Sequence, residues 1–174
     1  LDADITLPDG WKPIGATKDG RVNLQEGANL NAFSGIFDGA GHTITVPEDG
    51  LPLFGYVRNT RIRNLNIYGK KIAGYGLVNN FEGVGLSGSA VEIDNVTLKS
   101  GSSTLKSGLL GANKTVNGYA GCSAAFVATI TNCTIEKGVV VGYDKKQSQI
   151  GAIAGRMQGT IKNCVSYADV YGTD

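Results

Sequence analysis

The sequence is poor in the residues on which most enzyme sites and membrane segments depend. It has one histidine, one methionine and four prolines among 174 residues. Charged residues make up 18% of the chain, against about 25% in ordinary domains. A single histidine leaves catalytic triads and histidine-based metal sites without a second partner. No apolar run approaches the roughly 18 residues of a membrane-spanning helix, so we expect no membrane insertion.

Charge and cysteine content narrow the class of protein further. The chain has 16 Lys and Arg against 15 Asp and Glu, and without a basic patch we expect no nucleic-acid partner. Its three cysteines include no CxxC pair, which argues against a zinc knuckle and a disulfide framework. Glycine, in contrast, is abundant at 26 residues, about twice average usage. We therefore expect one domain, residues 1–174, built from short strands and tight turns.

A six-residue phrase that recurs four times predicts the fold. It reads "IRNLNI" at 62–67, "IDNVTL" at 93–98, "ITNCTI" at 130–135 and "IKNCVS" at 161–166, and we name the four repeat units by these ranges. The third residue is always asparagine: Asn64, Asn95, Asn132 and Asn163. The intervals between them are 31, 37 and 31 residues, a period typical of a repeat array. Alternating polarity and β-branched residues indicate strands rather than helices.

The asparagine marks a corner in each unit. Ile62 and Leu65 are three residues apart and would face opposite sides of a straight strand. Both can face one core if the chain bends at Asn64, and asparagine tolerates the left-handed conformation that such a bend needs. Stacked units of this kind predict an all-β parallel β-helix of about five to six coils. We expect the four asparagines to form a buried ladder of side-chain hydrogen bonds.

Alignment of the units predicts which residues lie side by side. The inward columns are Ile62, Ile93, Ile130 and Ile161, and Leu65, Val96, Cys133 and Cys164. The outward columns are Arg61, Glu92, Thr129 and Thr160, and Arg63, Asp94, Thr131 and Lys162. Arg61 and Arg63 should thus pair with Glu92 and Asp94, which specifies register more than it adds stability. Gly-rich residues 79–90 and 99–121 are predicted to be inserted loops.

Candidate reactive groups are few. Asp38 and His42 in "FDGAGHTI" could form an acid–base pair, but side chains that cap a tight turn are the favoured interpretation. Cys133 and Cys164 are expected to be stacked free thiols rather than a disulfide, because parallel side-chain vectors hold the Cβ atoms too far apart. Cys122 lies outside both columns. The oxidation state of all three stays open, and Trp11 and the tyrosines could stack on sugars or simply fill unit ends.

The order of four stretches resembles the GLUG-motif repeats of bacterial surface proteins. They are "LDADITLPDGWKPIG", "FSGIFDGAGHTITV", "LPLFGYVRNTRIRNLNIYG" and "IGAIAGRMQGTIKNCVSYADVYG". The resemblance covers nearly the whole chain and implies a right-handed β-helix of the pectin-lyase type, a hand that the crossover rule also favours. The units at 76–80 and 124–128 depart from the family pattern, because "GLVNN" and "AAFVA" lack its closing glycine.

The resemblance also implies a function. Members are secreted or cell-wall-attached, adhesin-like proteins, so we expect a non-catalytic structural or adhesive segment of a longer extracellular protein. Its partners would be a host glycan, a host protein or neighbouring repeats of the same chain. A monomer is expected, with no cofactor, no metal and no catalytic residue. The alternative is a fragment of a carbohydrate-active β-helix enzyme, which requires carboxylates, or carboxylates with Lys or Arg, to converge in one groove.

Overall fold

The chain forms short strands throughout the parts that the structure describes. A computed structural model describes residues 1–16, 32–82, 91–112, 127–147 and 150–173. These ranges contain strands and no helix. The strands are β1 (Ile5–Thr6), β2 (Phe33–Asp38), β3 (Thr43–Thr45), β4 (Phe54–Tyr68), β5 (Val78–Glu82), β6 (Val91–Leu98), β7 (Ser103–Thr104), β8 (Leu110–Ala112), β9 (Val127–Thr131), β10 (Thr134–Ile135), β11 (Val140–Val141), β12 (Ala154–Arg156), β13 (Gln158–Lys162), β14 (Val165–Ser166) and β15 (Asp169–Val170).

The strands pair in parallel. Among the described residues, the larger sheet has twelve strands, with a main path β12-β8-β5-β4-β6-β10-β14, and the smaller has three in the order β15-β11-β7. The long strand β4 pairs with β2, β3, β5 and β6 at different places along its length, so the larger sheet curls. Parallel neighbours need a crossover connection between them. The described chain is therefore all-β, with a curled and mostly parallel sheet.

The register follows the repeat. Arg61 lies beside Glu92, Glu92 beside Thr129, and Thr129 beside Thr160. The isoleucine column Ile62, Ile93, Ile130 and Ile161 is in register in the same three pairings. Residues one unit apart in the sequence thus become neighbours across the sheet, as the alignment of the asparagines predicted.

The core consists of the inward columns. Ile62, Ile93 and Ile130 are each 0% exposed, and the column formed by Leu65, Val96 and Cys133 is buried to the same degree. Ile161, in the same column of the last unit, is 48% exposed. Apolar area removed from water supplies the main stabilisation of such a sheet. The contribution of each unit to the stability of the fold therefore depends on the neighbouring units that cover it.

The strand β4 contains two corners. Asn59 (φ 50) and Asn64 (φ 53) both adopt the left-handed conformation. Thr60, which follows the first corner, is buried, and its hydroxyl donates to the carbonyl oxygens of Phe33 at 2.8 Å and of Arg58 at 3.0 Å. The repeated phrase predicted the corner at Asn64. It did not predict the corner at Asn59, because Asn59 lies before the phrase and has no counterpart in the other units.

The predicted loops 79–90 and 99–121 were too long. Residues 79–82 belong to β5, and β7 and β8 lie within the second segment. The small polar residues of that segment are buried and serve backbone groups: Ser102 Oγ accepts from the Gly69 amide at 3.2 Å, and Ser107 Oγ accepts from the Gly151 amide at 3.1 Å. Positions 83–90 and 113–121 of the two segments lie outside the described residues.

Candidate functional site

The four asparagines of the repeated phrase share one backbone conformation. Their φ angles are 53° at Asn64, 51° at Asn95, 54° at Asn132 and 55° at Asn163. Non-glycine residues adopt this left-handed region rarely, and asparagine does so more readily than most. The conformation turns the chain so that Ile62 and Leu65 are both buried. These positions are therefore the corners that the spacing predicted.

Side-chain hydrogen bonds join the corners in two pairs. Asn95 Nδ2 donates to Asn64 Oδ1 at 2.9 Å, and Asn163 Nδ2 donates to Asn132 Oδ1 at 3.4 Å. Between the pairs, Asn132 Nδ2 donates to Asp94 Oδ1 at 2.7 Å. The interval across this step is 37 residues rather than 31. The described bonds thus form two short runs with a carboxylate between them.

The prediction that the asparagine ladder is buried was wrong. Asn64 is half-buried, and Asn95, Asn132 and Asn163 are exposed. Because the residues on both sides of the corner face the core, the corner itself lies on the outside of the bend. Hydrogen bonds there compete with water, so each contributes about 1 kcal/mol or less.

A shallow groove of about 300 Å³ runs across the outward columns next to the corners. Its lining residues are Arg61, Arg63, Glu92, Asp94, Thr129 and Thr131. They alternate with the buried isoleucines along β4, β6 and β9, which places them on the outer face. Carboxylates and guanidinium groups thus converge on one surface of the sheet.

The charges in this groove are largely committed to partners. Arg61 Nε donates to Glu92 Oε2, as predicted. Arg63 lies beside Asp94 in register, but its Nε donates to Asp38 Oδ2 in β2 at 2.8 Å. Asp94 Oδ1 instead accepts from Thr131 Oγ1 at 2.6 Å and from Asn132. The predicted Arg63–Asp94 ion pair was therefore wrong, because β2 offers a second carboxylate in the same column.

Hydrogen bonds keep two of these carboxyl groups ionised. The hydroxyl of Thr131 and the amide of Asn132 hold the pKa of Asp94 below its ordinary value. The backbone amide of Ala40, then Asn64 and Arg63, lower the pKa of Asp38. A glycosidase needs one carboxylic acid that stays protonated to donate to the leaving group. The pKa values of Asp38 and Asp94 are lowered instead of raised, which suits a structural role.

Asp38 and His42 have separate partners. Asp38 Oδ1 accepts from the Ala40 amide at 2.9 Å, and the His42 amide donates to the Gly39 carbonyl at 2.8 Å. His42 Nδ1 lies 3.3 Å from Asp4 Oδ1, which also accepts from the Thr43 amide at 2.8 Å. The Asp38 side chain therefore caps the turn, as the favoured interpretation predicted, whereas the His42 side chain contacts Asp4 instead of a backbone group.

The two cysteines in the inward column are free thiols. Cys133 is buried, and Cys164 Sγ lies 3.4 Å from the Cys133 amide. Burial raises the pKa of the Cys133 thiol to about 12, so it carries almost no thiolate at neutral pH and is a poor nucleophile. Cys122 lies outside the described residues.

The described ranges contain no group of three or more His, Cys, Asp or Glu that could hold a metal ion. The same ranges include no helix long and apolar enough to cross a membrane.

The strands and their pairing define an all-β protein of repeated parallel strands with a charged outer groove. Comparisons with family models, with curated proteins and with solved structures found no match.

Two features of the surface escaped the sequence analysis. The partner of Arg63 could have been inferred by extending the outward column back to Asp38, which lies beside Arg63 in β2. The second is a pocket between two turns, "PDGW" at 8–11 and "PEDG" at 47–50. Both turns begin with proline followed by an acidic residue, and that shared pattern was the available signal.

Proposed function

We propose that this chain is a structural scaffold segment, a right-handed parallel β-helix that lengthens by stacking units, in a secreted or cell-wall-attached bacterial surface protein. The observation that carries the proposal is the register: Arg61, Glu92, Thr129 and Thr160 lie side by side in successive parallel pairings. Arrays of this kind contact only their neighbours and grow in one dimension. The GLUG-like motifs support the extracellular location.

Duplication of one unit tests the architecture. A second copy of residues 64–94, inserted after Asp94, adds 31 residues that begin and end at equivalent positions. In a β-helix the added unit forms one more layer, and the long axis measured by small-angle X-ray scattering increases by about 4.8 Å. Cooperative unfolding should persist. An insert that stays unfolded would rule out the scaffold architecture, and so would a folded variant whose long axis is unchanged.

The location is tested separately on cells. Antibodies against the folded chain should label intact cells of the source organism, and mild protease treatment of those cells should remove the label. Label that appears only after the cells are permeabilised would contradict the surface location and leave the architecture untouched.

A carbohydrate-active enzyme is the second candidate, and the charged groove favours it. The groove brings Glu92 and Asp94 together with Arg61 and Arg63, which is the convergence that such an enzyme requires. The pairing of Arg61 with Glu92 and the lowered pKa of Asp94 weigh against catalysis. Release of reducing ends or unsaturated products from polygalacturonate, abolished by Asp94→Asn, would establish this candidate instead.

A further inference from the structure

A pocket of about 460 Å³ lies between two turns at the N-terminal end of the described sheet. The Trp11 amide donates to the Pro8 carbonyl at 3.1 Å in the first turn, and the Gly50 amide donates to the Pro47 carbonyl at 2.8 Å in the second. The two turns lie against each other and form the pocket walls. Its volume falls within the range of small-molecule sites, roughly 300–1,000 Å³.

The apolar part of the pocket is a wall of three side chains. Trp11, Pro47 and Leu51 line it, and Leu51 is 38% exposed although it is a large aliphatic residue. Trp11 is also packed against the hydrophobic core, so its ring is held in place. A fixed aromatic ring beside an exposed aliphatic residue offers a flat apolar surface to a ligand.

The polar part of the pocket is balanced in charge. Asp9, Glu48 and Asp49 line it together with Lys12. Glu48 lies 3.5 Å from Lys70 Nζ, and Asp49 lies 2.6 Å from Lys71 Nζ. Three carboxylates are thus offset by three ammonium groups. A ligand with a net charge gains little from such a surface, whereas a neutral ligand with many hydroxyl groups finds both donors and acceptors.

The indole of Trp11 supplies one further observation. Its Nε1 is buried and has no hydrogen-bond acceptor in the described structure. A buried donor without a partner costs free energy, and each such group calls for an explanation. The atom has almost no exposed surface, so the proposed ligand contact is with the indole ring and not with Nε1.

We propose that this pocket binds a neutral saccharide, with a sugar ring against Trp11 and Leu51 and its hydroxyl groups hydrogen-bonded to the surrounding carboxylate and ammonium groups. An amphipathic sugar ring matches the combination of an apolar wall and a charge-balanced rim. This binding role goes beyond the scaffold role. It does not depend on that role, because the pocket is formed by two turns of this chain and does not require further repeat units.

The protein has its own reporter for the test, because Trp11 is the sole tryptophan. Tryptophan emission is recorded while the folded chain is titrated with glucose, galactose, mannose, N-acetylglucosamine and their oligosaccharides, with galacturonate as the anionic probe and N-acetyl-lysinamide as the cationic one. A saturable shift with a neutral sugar, with a millimolar dissociation constant, is expected. No response to any neutral sugar at tens of millimolar, or a response to a charged probe alone, would overturn the proposal.

Matched variants locate the binding. Leu51→Arg fills the pocket mouth and should weaken binding of the responding sugar at least about tenfold by calorimetry, equivalent to ~1.4 kcal/mol. Ile36→Arg, made at a residue that is 64% exposed and outside the pocket, is the control and should leave binding unchanged. Asp9→Asn and Asp2→Asn change the net charge of the protein equally and repeat the comparison. Asp9 lines the pocket and Asp2 does not, so only Asp9→Asn should weaken binding. Circular dichroism verifies that each variant is folded, and equal affinity in Leu51→Arg and Ile36→Arg would overturn the assignment.

Discussion

The central units and the last unit place the same residue types in different surroundings. Ile93 and Ile161 hold equivalent positions in their phrases, yet Ile93 is 0% exposed and Ile161 is 48% exposed. Cys133 and Cys164 hold equivalent positions directly after Asn132 and Asn163, and Cys133 is 1% exposed while Cys164 is half-buried. The local sequence hardly differs. Burial in this fold is therefore a property of neighbouring units, and stability should be distributed in the same way.

Truncation of the isoleucines should give the largest contrast. Ile93→Ala leaves a cavity between two covered units and should cost about 2–5 kcal/mol of unfolding free energy. Ile161→Ala removes a side chain that water already reaches, so about 1 kcal/mol or less is expected. Urea denaturation of both variants beside the wild type measures the difference. Equal losses at the two positions would show that burial by neighbouring units does not control stability.

Substitution of the corners should separate local strain from burial. Alanine tolerates the left-handed conformation less well than asparagine does, so Asn95→Ala should cost roughly 1–2 kcal/mol. Because the φ angles of Asn95 and Asn163 are nearly identical, Asn163→Ala should lose a similar amount despite its position in the last unit. Glycine tolerates this conformation, so Asn95→Gly should lose less than Asn95→Ala.

The same denaturation experiment measures these corner variants. Equal losses for Asn95→Gly and Asn95→Ala would assign the role of the corner to the side-chain hydrogen bond, which both variants lack, instead of the backbone conformation. A loss confined to Asn95 would show that corners, like isoleucines, depend on the neighbouring units.

Acid should give the smallest effect. The folded-state pKa of Asp94 lies below its ordinary value of 3.8, so its contribution is complete above about pH 5 and is lost as the pH falls through the folded value. Thr131→Val removes the main donor and should raise that pKa, which makes the acid-induced fall in Tm smaller by about 2 °C or less.

Thr129→Val is the matched control for this experiment, since it alters a threonine of the same strand on the same face. It should leave the pH dependence of Tm between about pH 5 and 3 as in the wild type. If both variants alter the pH dependence equally, the shift in the pKa of Asp94 does not come from Thr131.

Much of the register was predictable because one phrase recurs with a residue that marks its own backbone conformation. The three intervals between asparagines were sufficient to align Arg61 with Glu92 and Ile62 with Ile93. Residues 99–112 were wrongly predicted to belong to a loop because of their composition. Ser102, Thr104 and Ser107 are residue types typical of loops, but all three are buried. The hydroxyl groups of Ser102 and Ser107 accept from backbone amides of distant segments, which local sequence does not reveal.

The site was less predictable than the register. Which carboxylate Arg63 selects depends on the competing partners of Asp38 and Asp94, and these come from two different strands, β4 and β9. The pocket beside Trp11 joins turns that are separated by nearly forty residues and by a stretch outside the described structure. A pattern search detects a phrase that recurs at a fixed interval more readily than a concave surface between two distant turns.

The recurring separation of 31 residues between hydrogen-bonded corners has an evolutionary consequence. A gene that gains or loses one such segment by unequal recombination joins two chain positions with the same geometry and the same neighbours. Little new sequence must then be selected at the junction. Families built in this way can vary in length between closely related strains while the shape of each cross-section is preserved.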